Sequence, residues 1–325
     1  MTWSLETKEG KILEPLQFSN NKTQEDVVHE VLQRIKEGNK IIFMRGVCGS
    51  GKSAVALNVA KSLGKSSVVV PVKYLQQQYE NDYMHKLTIK KDNDKQLKIT
   101  ILTGRNNHKC LYNTSCTADD KFLPCHIRIK KENIDMLRLY MKENPFIEEK
   151  DVKTIEDIRR MSVAPACPFW SPIMGKEWAN KGLKDAEVYE YKGLRDKRYL
   201  YHKRKPGCTY YEQFMSYITA DVLVFNAKKY ELETVMDRKP ATEIEIIDEC
   251  DEFLDSLGNE QQINFGYLLR VLEDIIKDAR EDTKDVLEEI RDIARSISTA
   301  KWIEEQIEHN EILKLKETKV EQLLN

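Results

Sequence analysis

Apolar positions in the first hundred or so residues follow two alternating periods. Val27, Val28, Val31, Leu32 and Ile35 recur at helical spacing behind the capping-box pair Thr23 and Asp26, and Gly38 closes the run, which predicts a helix. Ile41, Ile42, Phe43 and Met44 read as a strand, and 54–63 reads as a helix stopped by Gly64. A valine-rich strand at 66–72 and an amphipathic run at 74–79 repeat the unit, and 98–102 is apolar again. Strands alternating with helices predict an α/β protein with a parallel sheet. Its ligands would sit at the strand C-terminal ends, where Lys52, Lys73 and Arg105 would emerge.

Regular alternation then stops for about a hundred residues, too long for a plain loop, so 106–212 reads as an inserted subdomain between 1–105 and 213–257. Helical patterns at 134–141 and 152–161 give the insertion a small helical body. Strands resume at 221–226 and 243–248. From Gly258 the chain turns to charged helix: Leu268, Leu269, Leu272, Ile275 and Ile276, then Val286, Leu287, Ile290, Ile293 and Ile297, mark apolar faces of a separate helical segment over 258–325.

The chemistry concentrates between the first strand and its helix, in Gly46-Val47-Cys48-Gly49-Ser50-Gly51-Lys52-Ser53. Gly46, Gly49 and Gly51 let the backbone curl around Ser50 so that N–H groups point inward at phosphates. Lys52 adds a fixed positive charge and Ser53 a hydroxyl for Mg²⁺. This octet is a complete phosphate-binding loop, and it predicts ATP with Mg²⁺. Phe18 and Gln24 lie upstream and read either as an adenine grip or as ordinary helix-start residues. The strand at 243–248 ends in Asp248 and Glu249, where an acid can hold Mg²⁺ and a neighbouring Glu can polarise the attacking water. Lys52, Asp248 and Glu249 are therefore the expected catalytic residues.

With 52 basic and 54 acidic residues the net charge is only −2, so no global field marks a nucleic-acid or membrane surface. A local one is present at 192–205, where Lys192, Arg195, Lys197, Arg198, Lys203, Arg204 and Lys205 interleave with Tyr199 and Tyr201, and Tyr189 and Tyr191 lie upstream. Such a mix reads as a single-strand binding surface or as a solvated basic hairpin. No apolar run is long enough to span a bilayer and the first residues lack signal-peptide blocks, so a cytoplasmic protein with no membrane partner is expected.

Seven cysteines in a charged chain point to metal or reactive thiols rather than a disulfide framework. Cys110, Cys116, Cys125, Cys167 and Cys208 fall in or beside the insertion. They are open to three readings: scattered buried thiols, a zinc site with help from His108 or His126, or an iron–sulfur cluster. Cys48 and Cys250 read as small core fillers.

Five stretches together resemble one family. They are the octet at 46–53, Gly104-Arg105-Asn106-Asn107-His108-Lys109-Cys110, Gly207-Cys208-Thr209-Tyr210-Tyr211, Ala220-Asp221-Val222-Leu223-Val224-Phe225-Asn226 and Asp248-Glu249-Cys250-Asp251. Over 16–254 the chain looks like the XPD/DinG type of superfamily 2 iron–sulfur DNA helicase. The resemblance implies a RecA-like sheet interrupted by a 4Fe–4S subdomain and followed by the start of a helical arch. It also implies 5′→3′ translocation on single-stranded or forked DNA driven by ATP. By motif position Cys110 would be the first cluster ligand and Cys208 the last, with Cys167 a third and Cys116 or Cys125 the fourth. The chain departs from the family in its wide gap from Cys125 to Cys167 and in Cys250-Asp251 where Ala-His is usual. The resemblance leads one to expect a second helicase domain as well, which is not read within these 325 residues and would be supplied in cis or in trans. A fragment or subunit that binds nucleotide and single-stranded DNA around a structural metal, without turnover alone, is the other expectation.

Overall fold

The computed structural model describes residues 2–47, 49–147, 154–178, 183–256, 264–279 and 281–300, and the chain divides into two units, 1–257 and 258–325. The first unit opens with a short strand β1 (Glu6–Thr7) and helix α1 (Gln24–Lys36). The expected capping box is present: Asp26 N–H donates to the Thr23 hydroxyl, and Thr23 N–H donates to the Asp26 carboxylate at 2.7 Å.

The next stretch corrects the sequence expectation. Residues 40–47 belong to no strand, and Ile41 and Phe43 are 76% and 77% exposed. Among the described residues no backbone hydrogen bond holds Ile41, Ile42, Phe43 or Met44. Apolar side chains alone do not make a strand, which needs a neighbour to satisfy its N–H and C=O groups. Helix α2 (Lys52–Leu63) begins earlier than its apolar pattern suggests, so Lys52 and Ser53 already lie in its first turn, and Gly64 ends it with a positive φ of 110° that glycine adopts freely.

Strand β2 (Ser66–Val70) leads into α3 (Lys73–Tyr79), whose last turn widens into a π-helical segment before β3 (Leu87–Thr88), the antiparallel partner of β1. Strand β4 (Ile99–Leu102) precedes the irregular stretch. That stretch holds α4 (Ile134–Glu143), α5 (Arg160–Val163), the strands β5 (Ile173–Gly175), β6 (Glu187–Lys192) and β7 (Arg198–Lys203), and short helices α6 (Thr209–Glu212) and α7 (Ser216–Thr219). Then come β8 (Val222–Asn226), α8 (Ala227–Val235), β9 (Ile244–Ile247) and α9 (Cys250–Ser256).

The main sheet is parallel, in the order β4-β8-β2-β9, with Val68 opposite both Val224 and Ile246. Its centre is fully buried because both faces are covered, as an all-parallel sheet requires. Leu57 and Ala60 of α2 and Tyr79 of α3 pack with Val68, Val70, Val222 and Val224. Leu223 and Phe225 meet an aromatic cluster built from Tyr191, Tyr201, Phe214 and Tyr217.

Two further expectations change inside the irregular stretch. The continuous helix over 152–161 is instead a single turn (Ile155–Asp157), an extended step at Ile158 and Arg159, and then α5; residues 152 and 153 lie outside the described residues. Thr154 with Asp157 and Arg159 with Ser162 each close a local cap, so one turn ends where the next begins. The basic run at 192–205 forms the hairpin of an antiparallel sheet ordered β5-β7-β6. Its Tyr191, Tyr199 and Tyr201 are buried and donate to the carbonyls of Arg238, Met236 and Tyr211 at 2.8, 2.9 and 2.8 Å, so these rings are not open to bases.

In the second unit, α10 (Phe265–Asp278) and α11 (Glu281–Ser298) bury Leu272, Ile276, Ala294 and Ile297, and Arg295 ion-pairs with Glu273 at 3.0 Å. Among the described residues no helix is long and apolar enough to cross a membrane.

Candidate functional site

The end of β9 and the start of α2 meet. Asp248 N–H still donates to Val69 O at 2.9 Å, which prolongs the sheet pairing by one residue, and Glu249 then takes a left-handed conformation (φ 50°) that turns the chain into α9. Such a backbone is costly for a residue with a Cβ and is typical of functional turns. It presents two adjacent acids to the loop. Ser53 Oγ donates to Asp248 Oδ2 at 3.5 Å, and Glu249 Oε1 ion-pairs with Lys52 Nζ at 3.1 Å. Lys52 also donates to Gly46 O at 3.3 Å.

Around them, Gly49 and Gly51 carry positive φ values of 80° and 77°, which glycine adopts without strain. A Cβ on Gly51 would overlap Gln24 Nε2, so this glycine is also required by close approach. The Gln24 side chain is buried and ties the loop to the chain before α1: Nε2 donates to Ser50 O at 2.9 Å and Oε1 accepts Leu16 N–H at 2.9 Å. In this structure Gln24 is a clasp on the loop, and Phe18 lies half-buried nearby in sequence. Cys48 lies outside the described residues, and Cys250 is half-buried at the start of α9.

The donor chemistry fits a magnesium nucleotide. The N-terminus of a twelve-residue helix favours an anion. Lys52 supplies its countercharge, and the Ser53 hydroxyl and Asp248 carboxylate are hard oxygen donors of the kind Mg²⁺ takes. The motifs did not mark Tyr79, whose hydroxyl donates to Asp248 Oδ2 at 2.9 Å. An amphipathic pattern reads such a tyrosine as core, and only the fold brings its polar end to the acid.

The cysteines of the irregular stretch share one neighbourhood. All five are free; Cys110, Cys167 and Cys208 are buried, and Cys116 and Cys125 are half-buried. A hydrogen bond from Cys167 pulls the Cys125 thiol down, burial opposes this and the Arg105 charge adds to it, while Cys167 is pushed up in turn. Burial raises Cys208, with Cys125 and Cys110 close enough to add to it, and burial with Cys110 and Asp120 nearby raises Cys116 to about 11. Arg105 reaches Cys125 Sγ at 3.6 Å and Tyr211 Oη at 3.0 Å, with its guanidinium 4.3 Å from the Tyr210 ring centroid, so it faces the thiols rather than an open sheet edge. Among the described residues no three His, Cys, Asp or Glu side chains are arranged to hold a metal ion. His108 uses both ring nitrogens on the hydroxyls of Thr103 and Thr209, each at 2.8 Å, and His126 Nδ1 lies 3.1 Å from Asp120 O.

Residues 17–139, less than half of the chain, match the family model of the res subunit of type III restriction enzymes, a helicase-like N-terminal domain of superfamily 2. No curated protein and no solved structure matches the chain.

Proposed function

We propose that the chain is the nucleotide-binding half of an ATP-driven DNA motor of the XPD/DinG type, moving 5′→3′ on single-stranded or forked DNA. The observation that carries this reading is the meeting of Lys52 and Ser53 with Asp248 and Glu249 at the end of a parallel-sheet strand. A phosphate-loop lysine and serine facing paired acids is the arrangement that phosphoryl transfer to water needs. The helicase-like match over 17–139 supports the class.

In this reading Lys52 neutralises the phosphates, Ser53 and, through water, Asp248 hold Mg²⁺, and the metal when bound offsets charge on the departing phosphate. Lys52 cannot serve the phosphates and Glu249 equally. Nucleotide binding therefore loosens the 3.1 Å ion pair and frees Glu249 to orient water. The second helicase domain, in cis or in trans, supplies the arginine that completes the site. Residues 1–105 and 213–257 form the motor domain, 106–212 the inserted subdomain and 258–325 the start of an arch. Four of Cys110, Cys116, Cys125, Cys167 and Cys208 hold a 4Fe–4S cluster, which when bound ties together loops far apart in sequence. The pairwise contacts of Cys125 with Cys167 and of Cys116 with Cys110, and the Arg105 charge beside Cys125, support it.

One observation favours a binding-only module: Lys52 and Glu249 neutralise each other in the chain as it stands. Hydrolysis assays on the purified 325-residue chain with and without single-stranded DNA separate the two. The motor reading expects DNA to stimulate hydrolysis, at a rate lowered by the lack of the second domain's arginine, and Lys52→Ala to abolish it. Nucleotide binding with no hydrolysis under any DNA condition leaves the binding module.

A further inference from the structure

Tyr79, the last residue of α3, is 2% exposed and sits among Leu57, Ala60, Val68, Val70, Val222 and Val224. Core packing asks for a ring of this size, and phenylalanine would satisfy it; the hydroxyl is the one part that packing does not require. A buried hydroxyl must find an acceptor. Here the acceptor is no backbone carbonyl but Asp248 Oδ2, at 2.9 Å, the same oxygen that Ser53 Oγ reaches at 3.5 Å. The phenol also lies within hydrogen-bonding influence of Ser53, so one buried group touches both side chains assigned to Mg²⁺.

We propose that Tyr79 is a positioning residue of the divalent-cation site, whose hydroxyl engages Oδ2 of Asp248 and leaves Oδ1 for the metal and its water. The inference rests on the nucleotide reading above and deepens it. Two features fix the phenol. Gln76, one turn earlier on α3, is anchored by Nε2 to Leu102 O at 3.0 Å, so the helix cannot slide along the sheet. The Tyr83 ring lies 5.7 Å from that of Tyr79 and limits its tilt. An unheld Asp248 carboxylate would be free to turn both oxygens toward Ser53 or Lys52. Partners that orient metal-binding carboxylates typically govern metal affinity by roughly ten- to a hundredfold.

The test uses the full chain and a fluorescent ATP analogue, titrated with Mg²⁺ and, separately, in excess EDTA. Tyr79→Phe should raise the Mg²⁺ concentration for half-maximal binding by about tenfold or more and leave affinity in EDTA unchanged. In an Asp248→Asn background the same substitution should add nothing, because both act through one carboxylate. An unaltered Mg²⁺ midpoint in Tyr79→Phe, or an equal loss with and without Mg²⁺, overturns the inference. Should Tyr79→Phe fail to fold, Tyr79→Met gives the same readout. Wild-type protein that binds no nucleotide overturns both this inference and the reading beneath it; wild-type binding that needs Mg²⁺, with Tyr79→Phe indistinguishable, overturns this one alone.

Discussion

Arg204 belongs to the basic run that the sequence offers as a DNA surface, yet it is 5% exposed. Its Nε donates to both Asp185 oxygens, at 2.9 and 3.0 Å, and its Nη1 to Cys167 O at 2.9 Å and Pro165 O at 3.3 Å. It is a brace beneath the cysteine neighbourhood. Arg204→Ala should therefore lower the free energy of unfolding by about 2–3 kcal/mol, since charged hydrogen bonds are lost and buried carbonyls are left without donors. Lys205, exposed beside the Phe169 ring at 5.2 Å, should change stability by less than about 0.5 kcal/mol when replaced by Ala. Urea unfolding of the two variants checks the pair; equal small effects would return Arg204 to the solvated surface. Charge alone could not have separated these neighbours, because burial of a basic residue depends on where Asp185 and the carbonyls arrive in space.

At the scale of elements, the parts that local chemistry determines were legible. Thr23 and Asp26 announce α1, Gly64 ends α2, and the β-branched runs of β2, β8 and β9 carry their own signature. The order of the motifs also anticipated that Lys52 and Ser53 would meet Asp248 and Glu249. What escaped depends on partners distant in sequence. Ile41, Ile42, Phe43 and Met44 have strand composition but no strand beside them, and the tyrosines of β6 and β7 look like stacking platforms until the aromatic cluster closes over them. The backbone amides of residues 41–44 should therefore exchange with solvent within seconds to minutes under native conditions. Those of Val68 and Val69, paired on both sides, should be protected to near the global unfolding free energy. Hydrogen–deuterium exchange read at these segments decides it; strong protection of 41–44 would mean that the stretch pairs in solution after all.

For the molecule as a whole, the irregular stretch is more than a decoration on the sheet. Its aromatic cluster packs on Leu223 and Phe225, so one face of the main sheet is covered by the same body that gathers the thiols. Protein prepared without oxygen should be brown and carry roughly four irons per chain. A colourless preparation with stoichiometric zinc would rule out the cluster and leave the proposed nucleotide site standing, since the Ser53–Asp248 and Lys52–Glu249 contacts involve none of these cysteines.

The central claim is that the loop at 46–53 and the acids after β9 form a single magnesium–nucleotide site. Calorimetric titration of Mg–ATP into the full chain, wild type beside Lys52→Ala and Asp248→Asn, addresses it without reference to DNA or cluster. One site per chain is expected, with affinity lost by at least about tenfold in Lys52→Ala, the equivalent of ~1.4 kcal/mol, and with Asp248→Asn weakening only the magnesium-dependent part. Binding of equal strength in all three proteins, or none in the wild type, would contradict it.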